Sequence, residues 1–485
     1  MLVAILALGL GLRVAEAWDG RSPVYDAVAY ERIAGDLSAG DGFTLGREAT
    51  QPASNYSPGV PLLVGGIYAL TGGEHERLVR LVLALVGGLA VLFAYLIGRR
   101  LSGPPAGLIG ACAVAIYPAL LEYQGMLMGE PLAATLLSGA VLGTLWADGR
   151  GARVLSRGGG AGRALGFSPG PLAAVRVRRW GEKEDAASSR HPLPTPPARG
   201  WLLSGLLFGS LALVRPEYLA IALLVAVVIL VRRGWDEWRI GLAQALVMLL
   251  GVAVVVAPWT VRNAVVLDRF VPVSTGGGQV LFAGSYLPSG GNPERVGHEV
   301  LDRHPGLTRK LAVQYAGLRS SFVAPGQTND ELTDRVLSAV RLEQILGGLA
   351  GQRYPDMETD KALGRMGRER LWDALTEQPV EYAGFVAAKV WRVWGHGPRE
   401  VMQRTGWELF HWALLALATL GLGLLAWRRR WEALLLATIL LSTAAVGALL
   451  VASPRRALVT IPLIATLAGV GATAAYAWLR TRIRH

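Results

Sequence analysis

About ten apolar stretches long enough to cross a bilayer dominate this chain, and no other feature limits its fold so strongly. They cover 1–18, 77–98, 105–121, 127–146, 200–214, 217–231, 240–258, 407–427, 431–452 and 457–479. A hydrocarbon core of ~30 Å takes about 20 mainly apolar residues per helix. A length of 485 residues would otherwise suggest about three soluble domains at ~150 residues each. Composition overrides that: 52% of residues are hydrophobic and 17% charged, where soluble domains average about 25% charged. An ordinary cytosolic enzyme and a wholly disordered chain are both excluded. The expected fold class is an all-α polytopic membrane protein with about 10 transmembrane helices, in a range of roughly 9–12.

The first stretch looks partly like a signal peptide, because Ala15-Glu16-Ala17 resembles a cleavage site. It has no basic leading region and nine further stretches follow, so it is read as a retained helix; whether residues 1–17 are cleaved stays open. Orientation follows from where short loops gather arginine. Arg99-Arg100, the run from Arg150 to Arg199, Arg232-Arg233 with Arg239, Arg428 to Arg430, and Arg480, Arg482 and Arg484 share one side if both termini are cytoplasmic. An even number of spans satisfies this, and it predicts a multi-pass protein of the cell (plasma) membrane.

The chain then divides into five parts. Residues 1–150 form an N-terminal transmembrane module with a first outer loop, 19–76; 151–199 form a disordered cytoplasmic insert rich in Gly, Pro and Arg. Residues 200–258 are transmembrane helices, 259–406 an extracytoplasmic helical region, and 407–485 the C-terminal helices. Within the outer region, 330–348, 358–377 and 379–394 read as helices. Trp391, Trp394, Trp407 and Trp412 lead into the next span as an interfacial belt does.

The formal net charge of +12 is nearly all arginine, since only four of the 48 basic residues are lysine. Such a balance suits nucleic acid, an anionic membrane face or a phosphate-bearing substrate. Most of these arginines do no more than orient the protein, which leaves nucleic acid poorly supported. The informative ones lie on the wrong side. Arg215-Pro216-Glu217 interrupts 32 apolar residues, 200–231, so a tight hairpin must hold Arg215 and Glu217 at or below the outer headgroups. Arg455 and Arg456 occupy a short outer turn, Ser453-Pro454-Arg455-Arg456, and Arg262 lies just past Pro258. Intramembrane ionisable groups are costly, and guanidinium forks match phosphate. Three outer turns offering arginine to one face suggest a phosphate site; singly, each reads equally well as a snorkelling anchor.

Among carboxylates, Asp26 lies just beyond the first stretch in Tyr25-Asp26-Ala27-Val28-Ala29-Tyr30, with Glu31 close by. It would serve as a general base, a metal ligand or simply a cap on the helix expected over 27–39. Glu130, in Met128-Gly129-Glu130-Pro131, is either functional or a first-turn acid favoured by the helix dipole. Gly276-Gly277-Gly278 lacks the Lys-Ser/Thr of a phosphate loop. The seven histidines form no paired-ligand spacing, and the single cysteine, Cys112, excludes an intrachain disulfide.

These residues also resemble a family. The pattern Tyr25-Asp26-Ala27-Val28-Ala29-Tyr30, then Gly40-Asp41-Gly42-Phe43, then Tyr56-Ser57-Pro58-Gly59-Val60-Pro61 is similar to the opening of bacterial protein O-mannosyltransferases and aminoarabinose transferases, the glycosyltransferase family 39-like members of the GT-C type. Met128-Gly129-Glu130-Pro131, Leu213-Val214-Arg215-Pro216-Glu217, Pro258-Trp259-Thr260-Val261-Arg262-Asn263 and Phe270 to Thr275 continue the likeness through about residue 290. Beyond that only the helix pattern and Arg455-Arg456 match. The resemblance implies a GT-C fold and a glycosyltransferase moving a hexosyl or pentosyl group, with inversion, from a polyprenyl-phosphate-linked donor to an extracytoplasmic protein, lipid or glycan. It implies Asp26 as the catalytic acid–base residue, with Arg215, Arg262, Arg455 and Arg456 on the donor phosphate and Tyr30, Tyr56, Glu130 and Glu217 in support. Some relatives use a divalent metal ion; Asp26 and Glu130 are the candidate ligands here. The rival readings are a lipid-linked-sugar flippase, expected to show broken helices in two related halves, and a non-catalytic glycolipid-binding membrane protein.

Overall fold

The computed structural model describes residues 1–21, 26–46, 52–149, 198–315 and 329–483, and no β-strand occurs among them. Nearly all of the predicted insert at 151–199 lies outside the described residues. All ten apolar stretches form helix. They are α1 (Leu2–Asp19), α4 (Glu76–Ser102), the pair α5 (Pro104–Ile116) and α6 (Pro118–Gly125), α7 (Gly129–Ala147), α8 (Ala198–Val214), α9 (Glu217–Val231), α10 (Trp238–Leu267), α18 (Thr405–Trp427), α19 (Trp431–Leu449) and α21 (Ile461–Ile483).

By length and composition, five of these qualify to cross a membrane singly: α4, α10, α18, α19 and α21. The α5–α6 pair makes a sixth if counted as one span bent by 46°. The expected ten exceeds that number for local reasons. Three charges, Arg13, Glu16 and Asp19, fall within α1, α8 and α9 run only 17 and 15 residues, and α7, 19 residues long and opening on Gly129-Glu130-Pro131, also falls outside the qualifying set. By contrast α10 spans 30 residues, about 45 Å at ~1.5 Å per residue, longer than a ~30 Å core.

Close helix crossings use residues without side chains, because lipid gives apolar helices little reason to associate except contact. At the α8–α10 crossing a Cβ on Gly205 would sit 1.9 Å from the Met248 carbonyl oxygen. Only glycine permits that approach.

The break between α5 and α6 has a specific cause. Pro118 has no N–H to give the Val114 carbonyl one turn earlier, and the chain bends there. Arg13, buried within α1, fills the gap. Its Nη2 donates to Val114 O at 3.1 Å and its Nη1 to Gly9 O at 2.9 Å.

Outside the spans, the segment expected as the first outer loop forms α2 (Asp26–Ala39) and α3 (Gly59–Thr71). The second outer region contains α11 (Gly277–Ser285), α12 (Arg295–Arg303), α13 (Pro305–Tyr315), α14 (Asn329–Ala339), α15 (Leu342–Arg353), α16 (Thr359–Glu377) and α17 (Pro379–Trp394). These helices enclose a core of their own that includes Phe282, Tyr286, Leu301, Leu346 and Met366. The single helix expected over 330–348 is two, α14 and α15. Arg341 between them is extended at ψ 151°, and its N–H donates to Gln344 Oε1 at 3.1 Å, which starts a new helix. The helices expected over 358–377 and 379–394 are α16 and α17.

Two polar joints tie the outer parts together. Glu122 on α6 receives Arg21 at 3.1 Å and Arg399 at 3.0 Å. Thr275 N–H donates to Ser54 O at 2.8 Å.

Candidate active site

Four separate breaks in the helical layout meet at one place. Asp26 begins α2 and Tyr30 stands one turn further along. Glu130 lies in the first turn of α7, which begins two residues after Leu127, whose φ of 56° is left-handed. That conformation is costly for a branched residue, and here it turns the chain sharply into α7. Pro216 separates α8 from α9 and leaves Arg215 and Glu217 at the hairpin tip. Ser453 caps the five-residue helix α20 (Pro454–Leu458), accepting from the Arg455 N–H at 3.4 Å.

Arg455 is the hub. Its Nη2 donates to Asp26 Oδ2 at 2.9 Å and its Nε to Glu130 Oε1 at 2.6 Å. Arg215 Nη2 donates to the same Glu130 oxygen, so two guanidinium groups far apart in the sequence share one carboxylate. Burial works against the Arg455 charge, but Glu130 and Asp26 outweigh it and hold its pKa above the usual arginine value. The two acids differ sharply in access: the Asp26 side chain is 41% exposed and that of Glu130 0%. Asp26 is therefore the accessible acid, and Glu130 the sealed one that bonds both arginines.

Around this core lie the remaining predicted residues. Arg456 donates through Nη1 to Glu217 Oε1 at 3.0 Å and through Nε to Val451 O at 3.1 Å. Tyr30 is nearly buried, and burial followed by the Asp26 charge pushes its pKa up, so its hydroxyl keeps its proton. Its ring meets Tyr56 edge-on at 6.3 Å. Arg262 is placed apart: its guanidinium lies over Trp259 at 4.8 Å and Phe43 at 5.6 Å and donates to Asn263 Oδ1 at 3.0 Å. That shelf still borders the site, because Trp259, Phe43 and Tyr56 pack in one small apolar cluster.

The metal reading fares poorly on geometry. Among the described residues no three His, Cys, Asp or Glu side chains come together as ligands. The two proposed ligands, Asp26 and Glu130, are joined through the Arg455 guanidinium. A divalent cation there would face two arginines.

Arg13, Glu122 and Tyr123 escaped the sequence reading. Tyr123 lies under Arg455 at 5.9 Å. A signal was available: Pro118 followed by Glu122-Tyr123-Gln124 cuts into the apolar run, as a continuous span would not.

No family model matches the sequence, and no curated protein does. Solved structures do share the fold. The Archaeoglobus fulgidus oligosaccharyltransferase in its apo form superposes with a TM-score of 0.54 at 16% identity, covering 99% of this chain and 51% of that one. The archaeal oligosaccharyltransferase AglB from the same organism, in complex with an inhibitory peptide and a dolichol-phosphate, gives a TM-score of 0.51 at 16% identity over 100% and 51% of the two chains. ArnT from Cupriavidus metallidurans bound to undecaprenyl phosphate also matches, at a TM-score of only 0.38 and 16% identity, over 97% and 76%. The fold is that of the GT-C membrane glycosyltransferases. The chain spans about half the length of the oligosaccharyltransferase it resembles.

Proposed function

We propose that this chain is a GT-C glycosyltransferase that moves a hexosyl or pentosyl group, with inversion, from a polyprenyl-phosphate-linked donor to an acceptor on the extracytoplasmic face of the cell membrane. The observation that carries this reading is one accessible carboxylate, Asp26, held by Arg455, which together with Arg215 is braced by a buried carboxylate, Glu130. A protein of the same fold binds dolichol-phosphate, which is consistent with such a donor.

The donor phosphate competes with Asp26 for Arg455. Asp26 and Glu130 together balance the charges of Arg455 and Arg215, so an arriving phosphate gains most by displacing the exposed acid. Arg455 then turns its fork to the phosphate, and Asp26 is released beside the acceptor. The acceptor oxygen attacks the sugar C1 and its proton passes to Asp26. The C1–O bond to the carrier breaks, and the polyprenyl phosphate leaves with the electron pair. Arg455 and Arg215 stabilise the charge growing on its oxygens, held in place in advance by Glu130. Tyr30 and Tyr56 wall the sugar, Arg456 with Glu217 closes the hairpin side, and Arg262 stands at the rim.

The test uses cells lacking the chain, complemented with wild type or Asp26→Asn, and mass spectrometry of their glycolipids and glycoproteins. Wild type restores a sugar-bearing product and Asp26→Asn does not. Full restoration by Asp26→Asn would remove the enzyme reading. One observation favours the rival flippase, namely the broken pair α5–α6 with the buried charge of Arg13, since transporters use discontinuous helices. A flippase would keep its activity in Asp26→Asn.

A further inference from the structure

The second outer region contains an arginine that makes no ion pair or side-chain hydrogen bond among the described residues. Arg370, on α16, lies with its guanidinium carbon 4.6 Å from the Tyr286 ring centre and 5.2 Å from that of Phe282. Both rings are fully buried and 5.5 Å apart, so they form a rigid floor. Arg370 Nε is buried without a hydrogen-bond partner. No ion pair or hydrogen bond to the guanidinium occurs among the described residues, although Asp373 stands one turn away.

The surrounding charges sharpen the imbalance. Glu299 is taken by Arg295 at 2.7 Å and approached by Arg303 at 3.7 Å. Glu369 is taken by Arg353 at 2.9 Å and Arg365 at 3.0 Å, and by the Tyr354 hydroxyl at 2.9 Å. Four arginines thus share two carboxylates, and Arg370 is left with neither. Arg303 is brought to this floor by Tyr286, whose hydroxyl donates to Glu299 O at 3.4 Å while the Glu299 carboxylate faces Arg303, and Arg353 by its bond to Glu369, the residue before Arg370. Burial lowers the pKa of Arg370, with Arg353 and Arg303 adding to the shift and Tyr286 and Asp373 opposing it. A mostly buried cation without a direct ion pair is expensive, and a native polar group left unsatisfied calls for a cause. Guanidinium forks on three different helices suit a doubly charged tetrahedral anion better than a single carboxylate.

We propose that Arg370, flanked by Arg303 and Arg353, is the floor of a phosphate-binding site in the second outer region, distinct from the cluster at Asp26. The phosphoryl group belongs either to a lipid headgroup or to a soluble phosphate. Its existence does not depend on sugar transfer at Asp26.

The experiment is calorimetric titration of inorganic phosphate into the purified full-length chain in neutral detergent, against chloride at equal ionic strength. Arg303→Ala removes an exposed side chain, and Arg370→Lys keeps the charge but loses the fork, so both should fold. Each is expected to weaken one class of phosphate site about tenfold, the equivalent of ~1.4 kcal/mol, while Arg455→Ala weakens a different class. A second arm measures binding to vesicles of phosphatidylglycerol and of phosphatidylcholine. An Arg303-dependent preference for phosphatidylglycerol supports the proposal and names a lipid headgroup as the source. Arg303-dependent binding of inorganic phosphate alone supports it with a soluble source. Phosphate affinity within twofold of wild type in both variants, together with vesicle binding indifferent to Arg303, overturns it.

Discussion

Arg455 holds Asp26 through Nη2 at 2.9 Å while its Nε grips the buried Glu130 at 2.6 Å. One guanidinium, 325 residues beyond Glu130 and 429 beyond Asp26, therefore joins the accessible acid at the start of α2 to the sealed acid of α7. Each arm of that link makes a separate prediction.

Asp26→Asn keeps the shape of the Arg455 contact but cannot take a proton. Turnover should fall by about 10²–10⁴, the usual worth of a positioned general base, while binding of polyprenyl phosphate is retained or strengthened because its competitor for Arg455 is neutral. Transfer assayed beside lipid-phosphate binding checks this. Loss of binding in step with loss of turnover would refute the assigned division of labour.

Glu130→Gln should be a stability defect as well as a catalytic one. Arg215 and Arg455 both rest on Glu130 Oε1 in a fully buried position, and removing one partner of a buried ion pair typically costs about 3–5 kcal/mol. Thermal unfolding in detergent should show a clear drop for Glu130→Gln and almost none for Asp26→Asn. Equal melting temperatures for the two variants would contradict the anchoring role.

Stability should also respond to pH near neutrality through Glu31. Burial, then the neighbouring Glu76, raises its pKa to about 7, with Arg80 opposing. Glu74 and Tyr68 face the same spot. A carboxyl whose folded pKa is raised favours the folded state when protonated. Its contribution is full below the ordinary glutamate range and is lost as pH rises through about 7. Glu31→Gln should flatten the melting temperature between about pH 5 and 8. An unchanged slope in that variant would show that another group titrates there.

Arg13→Met tests the brace across the broken span. It leaves the Val114 carbonyl, already deprived of a donor by Pro118, without the 3.1 Å bond from Arg13. A buried acceptor left unsatisfied costs about 1–3 kcal/mol. Thermal unfolding in detergent should show lowered stability, and a melting temperature at or above wild type would mean that desolvation of the Arg13 charge outweighs its bonds.

Orientation can be read with cysteines placed in a Cys112→Ala background. Gly306→Cys, in the second outer region, should react with a membrane-impermeant maleimide in intact cells, and Trp235→Cys should react only after lysis. The reverse pattern would invert the proposed topology.

Much of the architecture was legible in the residues alone. Apolar runs of bilayer length, bounded by arginine, specify helices regardless of their neighbours, because within lipid the helix satisfies its own backbone. Every apolar stretch found in the sequence is helical in the structure. How many of them cross is another matter. Pro118, the charges of α1, the shortness of α8 and α9 and the polar start of α7 at Glu130 leave five or six that qualify by length and composition.

The sequence by itself determined that this is a helical membrane protein, and it marked Asp26, Arg215 and Arg455 as charges in unusual places. Only the tertiary structure decided which of them meet. Arg215 and Arg455 close on Glu130, Arg456 turns to Glu217, and Arg262 goes to the Trp259 and Phe43 rings. The reason is that a buried charge must find its counter-charge. Which one it finds depends on how the ends of α2, α7, α8 and α20 pack together, and helical periodicity does not encode that packing.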